Sequence, residues 1–418
     1  MTSTTASRPA MPKPRARAVA AAAAMLCLQA GLAGAAGALP QQTMQWQALA
    51  EQIVRQLQLE PGEKVISLRQ PGMFDQLVPH LRYAVMQAGG IDLGVIEVLD
   101  EPMPEDWDED TLKKGIAASR DAYVEMLRDV DAAIMLPGAN PAQPAYAAMQ
   151  ILLFREGGPR RTIHFHWTDP YSSSGNEFGL MGVTVLPGHA PPPMQVINRV
   201  YQRAVLQTDL PALAAHQARF AAALKAASEV RVTTPAGTDL RFSAGDRSVI
   251  EQNGDASARR MRADAPFLVR EVEIPAGVVR VAPPEDTVNG VVVYPASAWQ
   301  NHGVVNARLK FEAGRITDID ADQGAEYVRQ ELLAAPEESR QFREFGLGFN
   351  PLLAIPADAP SWIPYFGYGA GIVRLGVGDN LELGGAVRGR YFRWRDLLID
   401  ATVALDGVIW VENGQLVK

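Results

Sequence analysis

Residues Gly371–Asp396 read GIVRLGVGDNLELGGAVRGRYFRWRD and are the most informative part of the chain. Short apolar runs between the glycines predict strands that meet at tight backbone turns. The stretch holds three acids (Asp379, Glu382 and Asp396) and five arginines (Arg374, Arg388, Arg390, Arg393 and Arg395). Arginines beside carboxylates at strand ends indicate either an anion-binding site or a network of ion pairs.

The C-terminal half that contains this stretch is predicted to be rich in sheet. Its short apolar runs are separated by turn residues, and Asp406-Gly407 is a strong hairpin signal. The predicted strands are Val230–Thr233, Asp239–Ser243, Phe267–Ile274, Val278–Val281, Gly290–Val293, Val304–Phe311 and Ile316–Ile319. We expect an antiparallel or mixed sheet here.

The N-terminal half alternates between strand and helix patterns. Predicted strands are Val65–Leu68, Gly94–Leu99, Ala132–Leu136 and Thr162–Trp167, and predicted helices are Phe74–Ala88, Asp121–Leu127 and Pro144–Phe154. This alternation is typical of a doubly wound parallel sheet. The predicted fold is therefore α/β followed by α+β, with an N-terminal domain at 39–228, ending in a helical connector, and a C-terminal domain at 229–418.

The first 38 residues predict a secretory signal peptide. Four basic residues precede the apolar run Ala18–Ala33, and Ala36-Gly37-Ala38 fits a cleavage site. An uncleaved membrane anchor is the alternative, although the run is short for a span. We therefore expect a periplasmic or secreted protein with no membrane contact after cleavage.

The composition of the chain argues against several classes of function. The only cysteine, Cys27, lies in the signal segment, so the mature chain has no disulfide and no thiolate metal site. The net charge of the whole chain is −8, and removal of the four basic residues of the signal leaves −12. A protein this acidic is a poor candidate for nucleic-acid binding.

A histidine pair ends the fourth predicted strand of the N-terminal half. His164 and His166 are two residues apart, so on a strand both imidazoles face the same side, and Asp169 follows closely. This set predicts either a metal site or a pair of structural histidines. His302, in a predicted loop, is a further candidate.

From about residue 55 onward, the chain resembles the aminopeptidase T family of metallo-aminopeptidases. The segments that carry the resemblance are VRVTTPAGTDLRF at 230–242, IPAGVVRVAPPEDTVNG at 274–290, EFGLGFN at 344–350, GIVRLGVGDN at 371–380, and the closing hairpin at 402–414. The same fold also hosts 2,5-dihydroxypyridine ring-cleaving dioxygenases. The resemblance implies a homodimer with a dinuclear metal site in the C-terminal half, held by carboxylates and histidines.

The implied metal ligands are mostly absent from this sequence. The position of the first ligand glutamate is Val278, the second is retained as Glu344, and the first histidine position is Arg374. The final His-x-Asp falls either on Arg393-Trp394-Arg395 or on Trp394-Arg395-Asp396. Valine offers no donor atom and arginine stays protonated, so we expect no metal at this site and no cofactor.

The leading interpretation is an exported relative of this family with a degenerate metal site. In it, a cleft lined by Arg374, Arg393 and Arg395 binds a small anionic ligand or peptide, and Glu344 or Asp396 acts as general acid or base in any turnover. Two alternatives remain. One is an active hydrolase using Zn, Mn or Fe at His164, His166 and Asp169 or His302, and the other is a relative of the dioxygenases. A structural role, in which the five arginines pair with acids at a dimer interface, is also open.

Overall fold

The structure, a computed structural model, describes residues 44–98, 106–155, 158–167, 184–261, 265–357, 360–394 and 396–418. The predicted signal peptide and Asp169 lie outside these ranges, as does Arg395. None of the helices within the described ranges has both the length and the apolar content needed to cross a membrane.

Helices and strands alternate in the first part of the described chain. They are α1 (Trp46–Leu57), β1 (Lys64–Arg69), α2 (Leu77–Gln87), β2 (Ile91–Glu97), α3 (Glu109–Met126), β3 (Ala132–Met135), α4 (Pro144–Arg155), β4 (Arg161–Phe165), β5 (Thr184–Val185), α5 (Met194–Gln207) and α6 (Leu210–Ala226).

Strands dominate the second part. They are β6 (Val230–Thr233), β7 (Asp239–Phe242), β8 (Ile250–Gln252), β9 (Glu271–Ile274), β10 (Val278–Val281), β11 (Asn289–Trp299), β12 (His302–Glu312), β13 (Arg315–Asp320), β14 (Phe342–Gly348), β15 (Trp362–Ile363), β16 (Val373–Gly378), β17 (Phe392–Arg393), β18 (Leu397–Leu398), β19 (Thr402–Leu405), β20 (Val408–Glu412) and β21 (Gln415–Leu416). Two helices interrupt them, α7 (Phe267–Arg270) and α8 (Ala325–Ala334).

The predicted fold class is confirmed. A five-stranded sheet with the order β2-β1-β3-β4-β9 is parallel throughout, and apolar side chains cover both of its faces. On one face α1, α2 and α5 pack against it, and on the other α4 does. Parallel sheets are stable when both faces are covered in this way.

The second part forms two sheets that pack face to face. Six strands, β17-β16-β14-β10-β8 with β18 beside β16, lie against eight strands in the order β13-β12-β11-β7-β6-β19-β20-β21. Alternate residues of both sheets, such as Val281 and Phe345 in the first and Leu240 and Leu309 in the second, share one buried core. The opposite face of the six-stranded sheet does not contribute to this core.

One predicted element is wrong in part. Phe267–Ile274 was expected to be a single strand of the C-terminal sheet, but Phe267–Arg270 is one helical turn, and only Glu271–Ile274 is a strand. That strand, β9, completes the parallel sheet beside β4. The chain then passes through Gly277 directly into β10 of the six-stranded sheet. Residues Met44–Lys418 form one compact unit, and the boundary at 228/229 stays a prediction.

Gly371 is required where the opening stretch of the sequence meets the C-terminal hairpin. It has φ +85°, and a Cβ atom there would lie 1.9 Å from the carbonyl oxygen of Gly414. A side chain at this position therefore meets both backbone strain and a clash with main-chain atoms.

We expect Gly371→Ala to lower the free energy of unfolding by about 1–3 kcal/mol more than Gly62→Ala does. Gly62 is the matched control because it has φ +89° but no atom within 4 Å of an added Cβ. Urea denaturation of both variants measures the difference. If both variants lose the same free energy of unfolding, the C-terminal hairpin accommodates the added methyl group without an energetic penalty.

Candidate functional site

The candidate site begins on the face of the six-stranded sheet that points away from the sandwich core. Strands β10, β14 and β16 alternate between apolar residues on the core side and Arg280, Glu344 and Arg374 on this face. Arg280 and Arg374 lie in one cross-strand row, with Gly346 between them. Because Gly346 has no side chain, both guanidinium groups can reach Glu344.

Glu344 is fully buried and surrounded by three guanidinium groups. Its Oε2 accepts a hydrogen bond from Arg280 Nε at 2.7 Å and lies 3.5 Å from Arg374 Nη2. Its Oε1 accepts from Arg343 Nε at 3.3 Å. A bulge between Phe342 and Glu344 turns the Arg343 side chain toward this face.

The cluster extends to a second carboxylate near the surface. Arg343 donates to Glu382, and Arg280 Nη2 lies 3.9 Å from the same carboxylate. The Arg343 guanidinium also sits 4.6 Å from the centre of the Phe392 ring. Arg280 and Arg343 are thus shared between two acids.

At the centre of the cluster, ion pairing affects the pKa values of Glu344 and Arg280 more than burial does. Burial alone raises the pKa of Glu344, but the three guanidinium groups hold it well below its ordinary value. Burial likewise lowers the pKa of Arg280, and the surrounding carboxylates raise it above its ordinary value. Glu344 therefore stays ionised and Arg280 stays protonated at neutral pH.

Arg374 is less completely paired than its neighbours. Its side chain is 3% exposed, and within the described ranges its Nε and Nη2 have no hydrogen-bond acceptor. The contact with Glu344 is an ion pair without hydrogen-bond geometry. Rings of Trp394 and Tyr368 lie 5.1 and 5.7 Å from its Cζ. Burial lowers the pKa of Arg374 to about 10, so it remains a cation.

Two acids and two histidines of the parallel sheet belong to the same region. Glu271 and Glu273 on β9 share a sheet face with His164 and with His166 just beyond β4, because Thr162 pairs with Glu271 and His164 with Glu273. Tyr368 donates to Glu273, which joins this face to the arginine cluster.

His164 is held by two partners. Its Nδ1 lies 2.6 Å from Tyr146 Oη and 3.2 Å from Glu271 Oε1, and its ring is 5.7 Å from that of His166. Burial raises the pKa of Glu271 well above its ordinary value, and it also raises that of Glu273. Burial lowers the pKa of His164 well below its ordinary value and that of His166 to about 4. Both histidines are therefore neutral at pH 7.

The expected cleft lined by both Arg374 and Arg393 is divided between two faces. Arg393 lies directly opposite Val377, a residue of the sandwich core, so it points to the other side of the sheet from Arg374. There it pairs with Asp396, whose Oδ1 accepts from Arg393 Nη2 at 2.8 Å.

Arg393 and Asp396 already have full sets of partners on that face. The Arg393 guanidinium stacks 3.6 Å from the centre of the Trp299 ring and lies 3.4 Å from Glu331. The structure therefore brings Glu344 and Arg374 together but places Asp396 and Arg393 apart from them. His302 lies on β12, where its ring stacks on Tyr327 at 3.9 Å.

The side chains present do not fit a divalent metal ion. At the implied ligand positions Val278 offers no donor, Arg374 is a cation, and both oxygens of Glu344 already face guanidinium groups. Across the described ranges, no group of three or more His, Cys, Asp and Glu side chains is arranged to hold a metal ion. We therefore derive no chemical step through a metal.

Three charged residues of this region were not predicted from the sequence to belong to the site. Arg280 sits in the run Val278–Val281, and Glu271 and Glu273 flank Val272. Each shows a charged residue in alternation with valine, which is the signal that could have revealed a polar face. Their meeting depends on β9 and β10 belonging to different sheets.

Comparison with known proteins finds a family model that matches the part of the chain carrying this site. Residues 209–353 match the family described as thermophilic metalloprotease (M29). These residues include β9, β10 and β14, which carry Glu273, Arg280 and Glu344. This segment of the chain is therefore similar to the M29, or aminopeptidase T, family.

Two solved structures share the fold of this chain. One is the 2,5-dihydroxypyridine dioxygenase from Pseudomonas putida KT2440, with a TM-score of 0.58 and 18% identity, covering 89% of this chain and 97% of that chain. The other is wild-type AmpT from Thermus thermophilus, with a TM-score of 0.56 and 20% identity, covering 89% of this chain and 99% of that chain. No curated protein sequence matches. At these identities the two structures show the fold alone.

We expect Glu344→Gln to lower the free energy of unfolding by about 3–5 kcal/mol, because it leaves three buried guanidinium groups without their central carboxylate. Glu229→Gln is the control, since Glu229 pairs with Arg241 at an exposed site and should change stability by less than about 1 kcal/mol. Urea denaturation compares the two. If Glu344→Gln lowers the free energy of unfolding as little as Glu229→Gln does, the three buried guanidinium groups are stabilised without the Glu344 carboxylate.

The lowered pKa of His166 predicts that the protein loses stability in acid. An unfolded chain protonates His166 below about pH 6.5, whereas the folded chain does so only near pH 4. The contribution of His166 to the free energy of unfolding is therefore complete above pH 6.5, and at most about 3 kcal/mol is lost as the pH falls through this window. The raised pKa values of Glu271 and Glu273 act in the opposite direction.

Comparison of His166→Gln with the parent isolates this effect, because the carboxyl groups remain in both proteins. Denaturation between pH 4 and pH 7 should show a smaller acid-induced loss in His166→Gln than in the parent. The exposed His189 provides the control variant, His189→Gln, which should follow the parent. If His166→Gln follows the parent as well, His166 is not the group that is held neutral.

Proposed function

We propose that this protein is an exported aminopeptidase T relative that binds a small carboxylate or a peptide carboxylate at Arg374. The observation that carries the proposal is that Arg374 is buried while its Nε and Nη2 have no hydrogen-bond acceptor in the described part of the chain. Buried donors without partners are costly, and a bound carboxylate would satisfy both in the bidentate geometry that arginine favours.

The charge balance of the cluster supports an anionic ligand. Arg280, Arg343 and Arg374 supply three positive charges, against which Glu344 and Glu382 supply two negative charges. Burial raises the pKa of the other two carboxyl groups, Glu271 and Glu273 on β9. Among the three arginines and two glutamates of the cluster, the positive charges exceed the negative ones by one, and a monocarboxylate would balance them.

Binding is favoured over turnover in this proposal. A general base must accept a proton, but the depressed pKa of Glu344 makes it a weak base. Asp396 is paired with Arg393 on the opposite face of the sheet. The catalytic roles first assigned to these two acids, and the ligand-binding roles of Arg393 and Arg395, remain proposals that rest on the sequence.

The alternatives differ from this proposal in their need for a metal. An active hydrolase with a relocated site would use His164 and His166 with Asp169, and a dioxygenase relative would also need a metal. Near-stoichiometric zinc, manganese or iron in the purified protein, together with turnover that a chelator abolishes, would support an active metalloenzyme and contradict our proposal. Export to the periplasm or beyond and homodimer formation are part of the proposal, and they rest on the sequence and its resemblance.

The central test is carboxylate binding by the full mature chain. Isothermal titration with acetate, propionate and a dipeptide should show binding that Arg374→Gln weakens by about 10- to 100-fold, because a charge-assisted hydrogen bond contributes about 1.5–3 kcal/mol. Arg231→Gln serves as the control, since Arg231 is exposed and paired with Asp239; it should bind like the parent.

Thermal unfolding without ligand shows whether Arg374→Gln still folds. If it folds and binds carboxylates as tightly as the parent does, the proposed role of Arg374 is wrong. If the parent protein itself binds no carboxylate, the proposed function is wrong as a whole.

A further inference from the structure

A second buried polar group without a partner belongs to Tyr365, which shares an aromatic neighbour with Arg374. Tyr365 is fully buried, and its hydroxyl has no hydrogen-bond partner within the described ranges. The ring of Tyr368 contacts both residues, with its centre 4.9 Å from that of the Tyr365 ring and 5.7 Å from Arg374 Cζ. Two orphan hydrogen-bonding sites thus share one aromatic neighbour.

The backbone at Tyr365 adds an independent sign of a functional site. Tyr365 and Phe366 have φ values of +38° and +53°, a left-handed conformation that is costly for side chains of this size. Two strained residues in succession persist only where the surrounding packing holds them, and such strain is concentrated at ligand sites. Here the packing comes from the rings of His166, Tyr201 and Trp394.

The strained turn fixes the direction of the Tyr365 side chain. Tyr201 Oη accepts a hydrogen bond from the Tyr365 backbone N–H at 3.2 Å, so the turn is also anchored to α5. Burial raises the pKa of Tyr365 well above its ordinary value, Glu273 raises it further, and Arg374 lowers it. The phenol is therefore neutral and can both donate and accept a hydrogen bond.

The partly exposed residues of the region mark its side toward solvent. His166 and Glu273 are half-buried, whereas Tyr365, Tyr368 and Arg374 are buried. A ligand bound at Arg374 and Tyr365 would meet the guanidinium group and the phenol in an aromatic surrounding. A small ligand can satisfy both only if it carries two polar groups close together.

Resting on the proposed function, we propose that the ligand is a small carboxylate with a hydroxyl group next to the carboxylate carbon. Arg374 binds its carboxylate, and the Tyr365 hydroxyl forms a hydrogen bond to the adjacent heteroatom. A site built to bond such a group discriminates against an analogue without it, because the buried phenol then stays unpaired. Tyr365 is thus a specificity residue and Arg374 is the anchor.

Titration of the full mature chain with lactate, alanine and propionate tests this assignment. We expect the parent to bind lactate more tightly than propionate, and to bind alanine least well, because its ammonium group would add a positive charge beside Arg374. Tyr365→Phe should weaken binding of that preferred ligand by about 3- to 10-fold and leave propionate unchanged, since one neutral hydrogen bond is lost. Arg374→Gln should weaken binding of all three compounds.

Tyr294→Phe is the matched control. Tyr294 is also a buried tyrosine, but its hydroxyl donates to the Leu375 carbonyl on the sandwich side of the sheet. Its removal should leave the preference for lactate over propionate unchanged. Thermal unfolding of each variant without ligand checks that it is folded.

The outcomes separate the two proposals. If Arg374→Gln abolishes binding but Tyr365→Phe affects all three compounds equally or none of them, the role of Tyr365 is wrong while the proposed function stands. If Arg374→Gln has no effect, the proposed function is wrong and this inference falls with it. Loss of the preference in Tyr294→Phe as well would show that any buried hydroxyl has this effect, which would also overturn the inference.

Discussion

The buried carboxylate of Glu344 is the group on which the arrangement of the site depends. An ion moved from water into a protein interior loses several kcal/mol of solvation, and only close, well-oriented partners offset that loss. Glu344 on β14 has such partners on β10 and β16, the strands on either side of it. The pairing order of these three strands is therefore coupled to the charges on their outer face.

Charge also links the six-stranded sheet to the parallel sheet. The chain leaves the parallel sheet at β9 and enters the six-stranded sheet at β10 within a few residues, so Glu273 and Arg280 are brought close by covalent geometry. Tyr368 closes the same gap by donating to Glu273. At Gly277 an added Cβ would lie 2.7 Å from the Tyr368 carbonyl oxygen, which shows how tightly the two segments approach. The candidate site thus lies where two sheets with different hydrogen-bonding patterns meet.

The sequence patterns predicted the fold class better than the site. Strand and helix alternation and hairpin signals are local, and they located most elements within a few residues. The pairing of β9 with β4 in the parallel sheet could not be predicted from local sequence, because the Glu-Val-Glu alternation of this strand would suit either sheet. The division of Arg374 and Arg393 between two faces has a similar origin: their spacing in sequence cannot be converted into a face until the turns between β16 and β17 are known.

Part of the site was nonetheless accessible from the resemblance. Glu344 and Arg374 were expected to be neighbours because they occupy ligand positions of one metal site in the family, and the structure places them 3.5 Å apart. Arg280 was missed because it occupies no ligand position, and a single arginine in a valine-rich strand is equally compatible with a surface residue. Its burial follows from the carboxylate it serves, which only the strand order reveals.

The arginines differ from a metal centre in what they can supply. Like metal ions, guanidinium groups place positive charge beside Glu344, but they cannot accept a lone pair or lower the pKa of a bound water by direct coordination. Under the proposed function the site therefore keeps the capacity to attract an anion and loses the means to activate a nucleophile. In this proposal, the incomplete pairing of Arg374 favours an anion-binding role over mere filling of space. The orphan hydroxyl of Tyr365, which shares Tyr368 as a neighbour with Arg374, is a second such feature, carried by a neutral group.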